Sequence, residues 1–122
     1  MDRKFVAAGL GFGLLGLILG IVMGASHNHT QLATHAHLML AGMVLSFIYG
    51  VCHKLWLTNP HSGMASLQFY LHIIGTLVLT GCLFAVYGGH AAPSTLEPLL
   101  IISSLSILIA LILMKVMFIK SK

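Results

Sequence analysis

Charge is the scarcest thing in this sequence: two acidic residues and six lysines or arginines among 122, 7% charged against 58% hydrophobic. A soluble globular domain carries about a quarter charged residues, so water is excluded as the solvent around most of this chain. Two cysteines, Cys52 and Cys82, are too few for a disulfide framework. Nor can they pair with each other. Counted outward from the second connection, Cys82 lies about 16 Å farther along its helix than Cys52, whereas a disulfide allows about 7 Å between Cα atoms at most. They read as small buried apolar residues. Repeats, low-complexity tracts and an i, i+4 histidine pair of the zinc-protease kind are missing, and the length suits one domain.

What is present is four apolar runs, at about residues 5–23, 33–57, 65–88 and 96–119. Each has the roughly 20 residues that a helix needs to cross the hydrocarbon. Lipid offers no partner to unpaired backbone groups, and the chain is too short for a closed barrel, so the runs must be helices. The expectation is an all-α, integral membrane four-helix bundle, a single transmembrane domain over residues 1–122. Asp2-Arg3-Lys4 resembles the charged start of a signal peptide. The long apolar run after it, leading straight into histidines, reads instead as a retained helix.

Orientation follows from Arg3, Lys4, Lys54, Lys115, Lys120 and Lys122, which fall at the two ends or the second connection and never in the first or third. The positive-inside rule then puts both termini in the cytoplasm and the first and third loops outside. The net charge of +4 is a topology signal, with no nucleic-acid surface to explain.

Along the first helix Gly9, Gly13, Gly16, Gly20 and Gly24 form one stripe, suited to close helix packing, within or between subunits, or to the wall of a flat cofactor. On the second, His35, Gly42, Ser46, Tyr49 and His53 recur at spacings of seven, four, three and four. The third has Gln68, His72, Thr76, Tyr87 and His90. Polar groups in a bilayer face the bundle interior, so these two faces should meet. Ser94 and Glu97 read as a capping box for the fourth helix. Ser103, Ser104 and Ser106 are expected to bond local carbonyls.

Eight histidines in so apolar a chain are an unusual concentration. His27, His29 and His61 read as loop residues, although the His27-Asn28-His29 pair, with His90 nearby, could take copper or zinc at the external face. His53, beside Lys54, reads as an interfacial anchor. His72 could bond Tyr49 or serve, with His90, as a secondary cofactor ligand. His35 and His37 are different. Two residues of separation is about 200° of helical rotation, so the rings leave on nearly opposite faces. They cannot easily chelate one ion, and the geometry suits a helix wedged between two sites. Imidazole is a good ligand for iron, copper and zinc.

The stretch from Thr34 to Pro60, THAHLMLAGMVLSFIYGVCHKLWLTNP, resembles the tenth helix of subunit I in haem-copper oxidases. In that family a His-x-His pair gives one histidine to each of two haems. Gln68-Phe69-Tyr70-Leu71-His72-Ile73-Ile74-Gly75 looks like the start of the eleventh helix, so the chain is similar to the fragment spanning helices nine to twelve, and to small oxidase-like membrane proteins of bacteria. The resemblance implies haem b on His35 and His37 in a bacterial inner membrane. It carries over no other haem or copper histidine and no external arginine pair, so one chain cannot form a complete haem-copper oxygen-reducing centre, and no catalytic residue is assigned.

The expectation is therefore a b-type haem protein for electron transfer or haem or gas sensing, with haem held between subunits of a homo-oligomer. Three copies would imitate the oxidase's three arcs, other ring sizes and dimers stay open, and a redox partner is a candidate. Two alternatives stand beside it. One is a copper or zinc transport or storage protein, with Ser46, Tyr49, His72 and Thr76 lining the path. The other is a haem carrier or assembly factor.

Overall fold

The structure is a computed structural model that describes residues 1–57 and 62–121. Its helices are α1 (Asp2–Ser26), α2 (Leu32–Leu55), α3 (Gly63–Tyr87) and α4 (Pro93–Lys120), each long and apolar enough to cross a membrane. At 24 to 28 residues they run about 36 to 42 Å, more than the roughly 30 Å of hydrocarbon. The protein is thus all-helical, with four candidate spans and the character of a multi-pass membrane protein. His61, expected in the second connection, lies outside the described residues.

The helices form two hairpins, α1 lying along α2 and α3 along α4, and the hairpins join between α2 and α3. Apolar burial gives helices in lipid no driving force, so packing depends on close approach and interhelical hydrogen bonds. The α1 glycine stripe provides the first. A Cβ on Gly9 would stand 3.1 Å from the Met43 carbonyl, and a Cβ on Gly42 would stand 2.6 Å from Cβ of Phe12. Gly9, Gly13, Gly16 and Gly20 of the stripe thus pack against α2 of the same chain, while a Cβ on Gly24 meets nothing within 4 Å.

α2 is not regular. Residues Leu38–Val44 wind as a π-helix between α-helical ends, with Leu45 N–H donating to the Leu40 carbonyl. The wider turn rotates the residues before it relative to those after it. The expected polar face is split as a result. Ser46, Tyr49 and His53 look toward α3, whereas His35 and Gly42 pack on α1. On α3, Gln68, His72 and Thr76 are buried as expected, but Tyr87 and His90 are exposed.

Three local expectations are also corrected. α4 begins at Pro93, with Ala92 as its N-cap and no side-chain capping bond. Proline preset for the first helical position starts the helix two residues early, so Ser94 lies inside it and Glu97 is exposed. Ser103 does bond a local carbonyl, that of Leu100, but Ser106 donates across to the Leu71 carbonyl of α3 at 2.7 Å. His53 is 3% exposed and stacks on Phe5 at 5.3 Å between centroids, which is burial and not interfacial anchoring. Cys52 and Cys82 are free.

Candidate functional site

Two groups of polar side chains stand out, one at the end of the bundle bearing the α1–α2 and α3–α4 turns, the other toward the end bearing both termini. At the first end, His35 is half-buried, with Nδ1 2.7 Å from the Gly16 carbonyl of α1. Its ring fits because position 20 is glycine: a Cβ there would come 3.0 Å from His35 Cε1. His37 is exposed, with Nδ1 2.7 Å from the Ala33 carbonyl one turn back. A carbonyl only accepts, so each Nδ1 carries the proton and each Nε2 keeps its lone pair. Metal-ligating histidines are held in this way, the far ring nitrogen donating to a fixed acceptor.

The other candidates at this end are dispersed. His27 closes α1 in the left-handed region, φ 57°, a structural use that accounts for the residue without a ligand. His29 is exposed and lends its carbonyl to Leu32 N–H at 3.2 Å. His90 is exposed and stacks over Phe84 at 6.5 Å. Among the described residues no three His, Cys, Asp or Glu side chains gather as a metal-binding group. Gln31 is already committed, donating to the Phe84 carbonyl at 2.9 Å and accepting from Thr34 at 2.7 Å.

The second group is buried between α2 and α3. Ser46 Oγ lies 2.9 Å from His72 Nε2, and His53 Nε2 lies 2.9 Å from Gln68 Oε1. Tyr49 sets its ring edge-on to His72 at 4.9 Å, so the expected Tyr49–His72 pair is an aromatic contact, and Ser46 is the hydrogen-bond partner. His72 Nδ1 makes no hydrogen bond. Ser46, Gln68, His72 and Thr76 are wholly buried.

Five atoms in this group lack a hydrogen-bond partner: Tyr49 Oη, His53 Nδ1, Gln68 Nε2, His72 Nδ1 and Thr76 Oγ1. A buried unsatisfied group costs about 1–3 kcal/mol, so five together rival the roughly 5–15 kcal/mol of net stability of a typical protein. Such a cluster is hard to explain as mere packing. Sequence spacing located its members. It put His53 on the same polar face, but proximity to Lys54 suggested an anchor at the membrane edge.

No protein-family model, curated protein or solved structure matches the chain.

Proposed function

We propose that this protein binds a b-type haem in a bacterial inner membrane, using His35 and His37 as ligands at the contact between copies of the chain. The observation that carries the reading is the shared pinning of both rings through Nδ1 to main-chain carbonyls, which leaves both Nε2 atoms as ligands. His53 and His72 are 3% and 0% exposed inside the bundle, where a haem shared with a second copy cannot reach them, so the pair near the loop end is the accessible one.

Exposure divides the work. His37 stands on the outer surface of the bundle, where a neighbouring copy can reach it. His35 depends on α1, because Gly16 orients it and Gly20 leaves it room. Bound there, the haem would supply one-electron or gas-binding chemistry. With Gln31 engaged inside the fold, the exposed His27, Asn28, His29 and Thr30 at this end would meet its propionates. Both termini lie in the cytoplasm in this reading, and three copies close the ring. The exposure of His37 also suits a haem carrier, since a surface ligand exchanges its partner readily.

The test is a reduced-minus-oxidised absorption spectrum of detergent-purified protein, with iron, copper and zinc measured on the same sample. A Soret band with stoichiometric iron is expected, weakened and shifted by His37→Ala and by His35→Ala. Full haem content and unchanged spectra in both variants would refute shared ligation. Colourless protein carrying stoichiometric copper or zinc would replace it with the metal-ion reading. Fast transfer to an apo-acceptor would identify a carrier.

A further inference from the structure

A groove of about 520 Å³ opens between α1 and α2 at the end of the bundle bearing both termini. Val6, Ala7 and Leu10 of α1 and Val51 and Leu55 of α2 give it apolar walls. Gly50, which is buried, lies at its floor: a Cβ there would stand 2.7 Å from Val6 Cγ2 and 3.0 Å from the Asp2 carbonyl. The two helices thus touch at Gly50, and beside that contact the exposed Ala7 offers only a methyl group. From Asp2 to Leu10 the groove follows α1 for about 12 Å, close to one leaflet of a hydrocarbon layer about 30 Å thick.

Charge selects the occupant. Arg3 and Lys54 line the mouth of this groove together with Asp2. The chain has two acids in all, Asp2 and Glu97. Glu97 lies near the start of α4, at the opposite end of the bundle, and Asp2 is 3.8 Å from the amino-terminal ammonium. Among the described residues neither Arg3 nor Lys54 is held in an ion pair. Two cations at the mouth of an apolar groove one leaflet deep complement a molecule with an anionic head and an apolar tail. A second groove, of about 510 Å³, makes the contrast: it runs past Leu15 and Ile18 of α1, Leu38 of α2 and Leu77 and Phe84 of α3, and no charged side chain lines it. Size and apolar walls are common to both, and only the first has the charge to choose among lipids.

We propose that the α1–α2 groove binds one anionic phospholipid, its phosphate held between the Arg3 guanidinium and the Lys54 ammonium and one acyl chain laid over Val6, Ala7, Leu10 and Val51. A guanidinium engages phosphate oxygens in pairs, whereas an ammonium acts as a point charge, so the two groups can share one phosphate. The site is independent of the haem reading, because neither His35 nor His37 lines it.

The test is native mass spectrometry of the full chain released from detergent micelles that contain phosphatidylglycerol or phosphatidylcholine with the same acyl chains. One phosphatidylglycerol retained per chain is expected. Each basic residue beside an anionic lipid strengthens the attraction about fivefold, so the preference over phosphatidylcholine should reach about 25-fold. Arg3→Gln combined with Lys54→Gln should abolish that preference, and Ala7→Leu, which fills the groove and leaves both charges, should lower retention of phosphatidylglycerol as well. All three positions are exposed, so the variants keep the fold. Equal retention of the two lipids by the parent, or a preference that survives the double substitution, would overturn the proposal. So would retention indifferent to Ala7→Leu, which would reduce the site to surface charge, and so would release of the lipid by millimolar inorganic phosphate, which would assign it to a free anion. An oligomer that Ala7→Leu dissociates while lipid retention stays constant would show that a second copy fills the groove instead.

Discussion

Gly42→Ala tests whether α1 and α2 are held by contact at close range. The added Cβ would stand 2.6 Å from Cβ and 2.7 Å from Cγ of Phe12, whereas carbon atoms settle at about 3.5–4.0 Å. Cβ of Phe12 is tied to the α1 backbone, so rotating the ring cannot relieve the clash. The helices must separate by about 1 Å at this point, at the cost of about 1–3 kcal/mol usual for overpacking. Neighbouring contacts suffer as well, since Gly9 and Gly16 lie on the same seam. Gly11→Ala is the control. A Cβ there meets nothing within 4 Å, and replacing a mid-helix glycine gains about 0.5–1 kcal/mol. Reversible unfolding in mixed detergent, followed by circular dichroism, should therefore move the two midpoints in opposite directions. Equal stability of Gly42→Ala and Gly11→Ala would refute the tight seam, and with it the account of how Gly16 reaches His35.

Two further outcomes are expected. In a double-mutant cycle, Ser46→Ala and His72→Phe should couple by about 0.5–2 kcal/mol, the range of interhelical hydrogen bonds in membranes; additive losses would mean that the 2.9 Å contact carries no energy. Ser94→Ala should leave stability within about 0.5 kcal/mol of the parent, because α4 is started by Pro93 without a side-chain cap; a loss of the roughly 1 kcal/mol typical of a deleted N-cap would restore the capping box.

The apolar runs were legible because a bilayer imposes length and hydrophobicity on every span. The α1 stripe was legible as small-residue spacing, and only the folded chain shows that its partner surface is Met39, Met43 and Ser46 of the same molecule. The buried cluster was half legible. Ser46, Tyr49, His53, Gln68, His72 and Thr76 lie on helical faces that period counting finds, but Lys54 beside it made His53 look interfacial. Its burial comes from α1, whose Phe5 ring covers it, and no local pattern announces such a tertiary contact.

The face containing His35 departs from its sequence pattern for a physical reason. Counting at 3.6 residues per turn puts His35 on one line with Ser46, Tyr49 and His53, and an α-helix throughout would aim all of them at α3. The π-helical stretch Leu38–Val44 breaks that line. It turns His35 onto the Gly16 carbonyl while Ser46 and His53 keep their α3 partners. One helix thereby serves two neighbours, with ligand-competent imidazoles at one end and a buried polar cluster at the other. Wider turns of this kind occur often at functional sites. An uninterrupted α-helix of the same residues would have to sacrifice one of the two sets, because a single 3.6-residue repeat puts His35, Ser46 and His53 on one line and cannot point them toward two partners.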